Sequence, residues 1–192
     1  DMSIEDATYV SFDLETTGFS VIHDGITEFG AVKIKNGEVI DRLQSFVNPG
    51  KKIGTRVSQL TNITNEMVAD APTIKEFLPQ ILEFFGDAIL VAHNAKFDIG
   101  FLNESLKRLN QKPITNPVID SLALARAIMK PMKSYRLGNV CRVYRVNYDD
   151  DVAHRADYDA EVLGAVFTTM LHSIMQSGNY NLLDLNKLQK DD

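Results

Sequence analysis

Residues 8–18 have the sequence TYVSFDLETTG, an apolar and β-branched run that ends in two acids, two threonines and a glycine. The run Thr8–Leu14 predicts a buried β-strand. Asp13 and Glu15 stand two apart at its end, so their side chains are predicted to point to one face. Two such carboxylates repel unless a cation lies between them, and oxygen ligands suit Mg²⁺ or Mn²⁺. Taken alone, the spacing is better explained by two solvated acids.

Outward from this strand, the pattern predicts two further strands and then helices that alternate with short apolar runs. The two strands, Ile26–Ile34 and Val39–Val47, flank Asn36-Gly37, a strong hairpin signal. This order predicts an α/β fold with a five-stranded mixed sheet flanked by helices. The last two predicted strands are Ile89–Ala92 and Val118–Ser121, and the predicted helices are Thr73–Phe85, Lys96–Leu109, Leu122–Met129, Leu137–Tyr144, Asp157–Gln176 and Leu182–Leu188.

The bulk composition narrows the class of protein. The length of 192 residues suits one domain with a full core. No apolar run approaches the roughly 18 residues of a membrane span, and the first residues lack a signal-peptide pattern. The one cysteine, Cys141, excludes an internal disulfide and fits a reducing compartment, so a cytoplasmic location is predicted. Cys141 lies in an apolar helical stretch, which predicts a buried, unreactive thiol.

Charge is distributed unevenly along the chain, whose net charge is −6. Residues 1–95 carry −7, residues 96–145 carry +7 and residues 146–192 carry −6. A basic middle segment can offer phosphate a local path, although cations that only solvate helix surfaces explain the pattern equally well. The negative total argues against tight, independent DNA binding. Such a domain would gain from being held at its substrate by a larger partner.

A third acid, Asp98, is predicted in the first turn of a helix. It shares a helical face with Phe101 and Leu102, which look like packing residues. An acid in the first turn of a helix is commonly explained by its favourable interaction with the helix dipole alone. A carboxylate beside a buried face, however, needs a partner, and a metal shared with Asp13 would supply it.

A fourth acid, Asp159, begins the last long helix, and His154 precedes it by five residues in a polar loop. A lone histidine in a loop is usually just solvated. Its ordinary pKa of about 6.5 nevertheless suits proton abstraction near neutral pH. The spacing predicts a histidine beside a metal ligand carried by the helix.

Three motifs contain these residues. They are D-x-E-T-T-G at Asp13–Gly18, H-N-A-x-F-D-x-x-F-L at His93–Leu102 and H-x-x-x-x-D at His154–Asp159. Together they resemble the DEDDh branch of the DnaQ-like exonucleases; the sister branch has tyrosine where this chain has Arg155. The resemblance covers about residues 8–174. It is closest to the proofreading exonuclease segment of PolC-type DNA polymerase III, although epsilon-type proofreading subunits and helicase-linked exonucleases share the motifs.

The resemblance implies an RNase H-like fold and release of nucleoside 5′-monophosphates from a 3′ end. It implies two divalent cations, Mg²⁺ or Mn²⁺, bound by Asp13, Glu15, Asp98 and Asp159. Asp13 would contact both cations, Glu15 and Asp159 would complete the first site, and Asp98 would serve the second. His154 would be the general base that takes a proton from the attacking water. These five residues are the predicted catalytic set.

Several residues near the motifs are predicted to contact the terminal nucleotide of a single-stranded or frayed 3′ end. Glycine permits close backbone approach and hydroxyl groups bond sugar or phosphate, although an ordinary polar turn would look the same. Apolar contacts to a base tolerate any sequence. Phe101 is predicted to be core instead. The predicted substrate-binding residues are Thr16, Thr17, Gly18, Leu60, Ile63, Asn94 and Phe97.

The predicted exonuclease domain covers residues 8–176, with residues 1–7 and 177–192 as extensions that link it to a larger polymerase chain. The predicted partners are the polymerase domains of that chain and replisome proteins such as the sliding clamp, with no membrane. Two other functions stay open: the same chemistry on RNA or small oligonucleotides, and an inactive module that docks a polymerase. The intact acids and His154 argue against the inactive module.

Overall fold

The computed structural model describes residues 3–178 and 181–190. Strands and helices alternate after an initial run of three strands, as the sequence predicted. The strands are β1 Thr8–Thr16, β2 Ile26–Lys35, β3 Glu38–Phe46, β4 Ile89–Ala92 and β5 Val118–Asp120. The helices are α1 Thr55–Thr61, α2 Asn65–Ala69, α3 Ile74–Phe85, α4 Ala95–Arg108, α5 Ser121–Ile128, α6 Leu137–Tyr144, α7 Ala156–Gln176 and α8 Leu182–Lys190.

The five strands form one mixed sheet in the order β3-β2-β1-β4-β5, which confirms the predicted sheet. β2 pairs antiparallel with both β1 and β3, whereas β4 pairs parallel with β1 and β5. Asn36 and Gly37, between β2 and β3, both have positive φ, at 52° and 78°. Two successive positive φ angles are what a two-residue hairpin turn requires, so the predicted hairpin is confirmed.

The sheet separates two hydrophobic cores, and alternate residues of β1 face opposite ones. Tyr9 belongs to the core shared with α5 to α8, while Val10, Phe12 and Leu14 belong to the core shared with α3 and α4. Side chains two apart on a strand share a face, so the face of Tyr9 also carries Ser11, Asp13 and Glu15. The Ser11 hydroxyl confirms this, because it donates to the carbonyl of Ala160 in α7 at 2.7 Å.

Helices α1 and α2 were not predicted. Both are short and lack a long apolar stripe, and α2 begins with a side-chain cap, in which the Thr64 hydroxyl accepts the Met67 N–H. Beneath them lies a small separate core of Ile53, Ile63 and Val68. A segment stabilised by caps and three buried side chains offers little periodicity for a sequence pattern to detect.

Residues outside the predicted domain, which covers residues 8–176, also pack against its core. Ile4 and Leu185 are fully buried in the core beside α7, and the Tyr9 hydroxyl donates to the Ile4 carbonyl at 2.6 Å. Ser3 and Asn181 form an antiparallel bridge. The described parts of both predicted extensions therefore belong to the fold, while residues 1–2, 179–180 and 191–192 of those extensions lie outside the described residues.

Two predictions from composition can be compared with the fold. Cys141 is buried, as predicted, and burial raises the pKa of its thiol to about 11, which keeps it protonated at neutral pH. Across residues 3–178 and 181–190, no helix is both long and apolar enough to cross a membrane.

Candidate active site

Asp13 and Glu15 lie near the end of β1, the central strand, on the face covered by α7. In the antiparallel register Asp13 stands opposite Gly30 and Glu15 opposite Glu28. Gly30 is required by close approach, because a Cβ there would overlap the main chain where α7 begins, at Asp157 and the residue before it. The missing side chain lets the start of α7 lie directly on β2 beside Asp13.

Asp98 reaches the same site from α4. The preceding Asn94 has a left-handed backbone with φ of 71°, and its N–H donates to Asp120 Oδ1 at 3.0 Å. This turn starts α4 at the end of β4 and places Asp98 one turn into the helix. Asp98 is buried, and burial followed by the charges of Glu15 and Asp120 raises the pKa of its carboxyl well above the ordinary value.

Asp159 and His154 come from the start of α7 and the loop before it. Asp159 Oδ1 accepts the Tyr148 hydroxyl at 2.9 Å and the His154 main-chain N–H at 3.3 Å. His154 has φ of 73°, and its Nδ1 lies 4.0 Å from Glu15 Oε1. Ligand atoms of Glu15, His154 and Asp159 all lie within 4.8 Å of one another. The structure therefore brings the residues of the first and third motifs together.

Burial raises the pKa of all four acids, and the charges of neighbouring acids add to the shifts of Asp13, Glu15 and Asp98. Burial is the main cause for Asp13, followed by the charges of Asp98, Glu15 and Asp159, and its pKa lies well above the ordinary value. Burial and then Asp159 and Glu28 raise the pKa of Glu15 to about 8, opposed by Arg155. Burial also raises the pKa of Asp159, although its hydrogen bonds from Tyr148 and His154 oppose the shift.

Cations fit this set of ligands. Asp13 Oδ2 is buried and has no hydrogen-bond partner within the described residues, so a carboxylate oxygen points into the site with nothing to neutralise it. Carboxylate oxygens are the ligands that Mg²⁺ and Mn²⁺ prefer. Divalent ions would reverse the mutual repulsion and keep all four acids ionised.

Residues 10–167 match a family model described as Exonuclease (RNase_T). This chain belongs to that exonuclease family. The PolC-type DNA polymerase III of Ureaplasma parvum is 47% identical to this exonuclease over 193 residues, and that of Bacillus cereus is 42% identical over 175 residues. These matches take up 98% and 91% of this chain but only 13% and 12% of the two relatives.

Solved structures show the same fold. Exonuclease X in complex with 5′ overhanging duplex DNA superimposes with a TM-score of 0.75 at 24% identity, covering 94% of this exonuclease and 99% of that chain. The nuclease domain of 3′hExo, a DEDDh family member bound to rAMP, superimposes with a TM-score of 0.75 at 18% identity, covering 89% and 94%. The predicted RNase H-like architecture is thus confirmed, and the family match and the PolC-type relatives confirm the predicted resemblance to that class of exonuclease.

The predicted substrate residues of the first motif have internal partners. The Thr16 hydroxyl donates to the Gly18 carbonyl at 2.6 Å, and the Thr17 hydroxyl donates to Asp24 Oδ1 at 2.9 Å. Both threonines are buried, so their hydroxyls shape the loop in this structure. A contact of Thr16, Thr17 or Gly18 with a nucleotide stays a prediction, as does one of the exposed Asn94.

The apolar substrate residues separate into exposed and buried ones. Leu60 is 67% exposed at the end of α1, as a contact with a base requires. Ile63 is 0% exposed in the small core under α1 and α2, and its contact with a base stays a prediction. Phe97 is half-buried between the rings of Phe101 and Phe19, and Phe101 is core, as predicted.

Sequence reasoning missed three residues of this region: Phe19, Glu28 and Tyr148. Phe19 is 91% exposed directly after the first motif, yet a single phenylalanine gives no sign of exposure. Glu28 could have been found, because a glutamate inside the apolar run of β2 must have a partner. Tyr148 gives no such sign, since its bond to Asp159 depends on how the loop before α7 folds.

Proposed function

We propose that this exonuclease removes nucleoside 5′-monophosphates one at a time from DNA 3′ ends, using two divalent cations, and that it proofreads within a PolC-type replicative polymerase. The observation that supports this most is the proximity of Glu15, Asp98 and Asp159 to Asp13, whose Oδ2 has no hydrogen-bond partner within the described residues, with His154 beside Glu15 and Asp159. Mg²⁺ and Mn²⁺ both suit these oxygen ligands.

The residues that would hold the cations are Asp13, Glu15, Asp98 and Asp159. Bound there, the cations would supply Lewis-acid stabilisation of the phosphate charge and a water that ionises near neutral pH. The protein's own contribution is placement. β1 fixes Asp13 and Glu15 in the sheet, and Tyr148 orients Asp159 through its hydroxyl. The acids are thus held in place by contacts within the protein.

His154 would take the proton from the attacking water. Its side chain is 56% exposed, so a water molecule can approach the imidazole. Its main-chain N–H donates to Asp159, which ties the base to one of the acids around the reacting phosphate. An imidazole within reach of the attacking water can act as its general base.

The substrate end would lie across the exposed apolar side chains of the site. Leu60, Phe19 and Phe97 offer contacts that accept any base, as a proofreader requires. A frayed 3′ end reaches such a site more easily because its unpairing costs less. The proposed partners are the polymerase domains and replisome proteins such as the sliding clamp, and the proposed location is the cytoplasm.

The decisive test is Mn²⁺-dependent digestion of a primer with a 3′ mismatch, followed by identification of the products. We expect nucleoside 5′-monophosphates, faster release from the mismatched than from the matched primer, and none with Asp98→Ala. Matched RNA and short oligonucleotides serve as parallel substrates. Faster digestion of RNA would favour an RNA-trimming enzyme. Failure to cleave any 3′ end would favour an inactive module that docks a polymerase.

A further inference from the structure

Glu28 is a buried carboxylate beside the active site to which the proposed mechanism gives no task. Its side chain is 1% exposed, and it stands opposite Glu15 in the sheet. Oε1 accepts the N–H of Ala156 at 3.0 Å, and Oε2 accepts the side-chain N–H of Gln44 at 2.8 Å. Both oxygens are therefore bonded to protein, unlike Oδ2 of Asp13. This bonding distinguishes Glu28 from Asp13, one of the acids proposed to bind the cations.

Arg155 connects Glu28 with the residue before it, His154. The Nε of Arg155 lies 3.7 Å from Glu28 Oε1. Nη2 of the same guanidinium donates to the main-chain carbonyl of Thr61 and, at 3.1 Å, to that of His154. A guanidinium can make these bonds together because its donors are fixed in one plane. Arg155 thus joins a buried carboxylate, the end of α1 and the main chain of His154.

His154 has few other supports. Its side chain is more than half exposed, and its backbone has a positive φ of 73°, which a histidine keeps only when its surroundings impose it. The N–H of the His154 main chain donates to Asp159, and its carbonyl accepts a hydrogen bond from Arg155. Asp159, in contrast, lies within α7, where the next residue, Ala160, is completely buried.

We propose that Arg155, held in place by Glu28, is the positioning residue of the general base. This inference rests on the proposed function, because it gives His154 the role of base. Glu28 fixes the guanidinium, the guanidinium fixes the His154 carbonyl, and the imidazole is thereby kept where it can take a proton from water. Loss of the guanidinium would release His154 while leaving the acids on β1, α4 and α7 in place.

The test is a double-mutant cycle between Arg155 and His154, measured as kcat and KM on a single-stranded DNA oligonucleotide with Mn²⁺. In the natural background, Arg155→Ala should lower kcat on the order of 10–100-fold, because a misplaced group loses about that much. In the His154→Ala background the same change should cost less than about 3-fold, since no base remains to be positioned. Equal losses in both backgrounds would overturn the proposal.

Two further variants follow the chain of contacts. Arg155→Lys should recover only part of the rate, because an ammonium cannot reproduce the planar fork. Glu28→Gln keeps an acceptor for the Ala156 N–H but removes the charge under Arg155, so a smaller loss, about 3–10-fold, is expected. Mn²⁺ affinity, measured from the free ion by electron paramagnetic resonance, should be unchanged in both. A loss of affinity in Glu28→Gln would make Glu28 a ligand and overturn the proposal.

Arg42→Ala is the matched control. Arg42 forms an exposed ion pair with Glu161, at 2.6 Å, that also joins the sheet to α7 but includes neither Glu28 nor His154. Its removal should leave kcat within about 2-fold, as exposed ion pairs contribute little. If Arg42→Ala lowered kcat as much as Arg155→Ala, attachment of α7 in general would explain the result, and the proposal would be overturned.

Hydrogen exchange gives a readout that does not depend on cleavage. In the metal-free protein, amides of residues 149–157 should exchange faster in Arg155→Ala than in the natural chain or in Arg42→Ala. Unchanged exchange would contradict the proposal, even where kcat falls. If the natural chain cleaved no 3′ end, the proposed function would fail, and exchange would still decide whether Arg155 holds this loop.

Discussion

The strand that carries Asp13 and Glu15 and the loop that carries His154 differ in almost every physical respect. β1 lies at the centre of the sheet, paired on both sides, between two hydrophobic cores. The loop before α7 is largely exposed, and its histidine has a left-handed backbone held by a few polar contacts. The acids on β1 that are proposed to bind the cations are placed by the core, whereas the proposed general base is placed by hydrogen bonds. The two regions should therefore fail in different ways.

The largest effect is expected for the buried strand. Asp13→Asn should lower kcat on the order of 10⁴-fold, because it removes a charge from the centre of the site. Without metal, the same variant should have a higher Tm than the natural chain, since it also removes a buried, repelled charge. Activity assays with Mn²⁺ and melting curves with EDTA test the two parts. A lower Tm would show that the acids do not strain the metal-free fold.

A smaller effect is expected for the loop. His154→Ala should lower kcat by about 10²–10⁴-fold, the usual contribution of a general base, with Mn²⁺ affinity nearly unchanged. The deficit should shrink as pH rises, because hydroxide then replaces the base. Rate profiles between pH 6 and pH 9 for the variant and the natural chain measure this. A deficit that is constant with pH would contradict the role of His154 as base.

The close contact between the sheet and the start of α7 can be disturbed at Gly30. In Gly30→Ala the added methyl overlaps the main chain at the start of α7, so the helix must move away from β1. We expect about a 10²-fold loss of kcat and a destabilisation of about 1–3 kcal/mol. Gly54→Ala is the control, because nothing lies within 4 Å of a Cβ at Gly54. Normal activity in Gly30→Ala would show that α7 can shift without displacing its ligands.

The mildest change is one of pH alone. The folded-state pKa of Glu15 is raised to about 8 from an ordinary 4.5, so its protonated form is the one that stabilises the metal-free fold. That stability is fully present below about pH 4.5 and is lost as pH rises towards 8. We expect the Tm with EDTA to fall by about 5 °C over this window, and Mg²⁺ to reverse the fall. A Tm that rises with pH would show that the attraction of cationic neighbours, rather than burial, sets the pKa of Glu15.

Local patterns accounted for most of the fold. Alternating or continuous apolar runs marked all five strands, and Asn36-Gly37 marked the hairpin, because these signals act over a few residues. The acids could be placed at a strand end and at two helix starts for the same reason. Those positions lie on elements that meet at the carboxyl ends of the parallel strands β1 and β4. The place of the candidate site therefore followed from the order of the elements.

Contacts between distant segments could not be predicted. Burial of Ile63 depends on the small core formed with Ile53 and Val68, not on its neighbours in sequence. The bond between Arg155 and Thr61 joins residues 94 apart in the chain. In the sequence, Arg155 is informative only because the sister branch has tyrosine at that position. Its contacts with Glu28, Thr61 and His154 form only when β2, α1 and α7 are assembled. The site's ligands are thus local features of the sequence, while the supports of its base are tertiary.

The bridge between Ser3 and Asn181 ties the residues before β1 to the residue that precedes α8. Each of these two segments also brings one completely buried side chain to the core beside α7, Ile4 in the first and Leu185 in the second. Trimming the chain to residues 8–176 would therefore leave a cavity in that core and lower the stability of the domain.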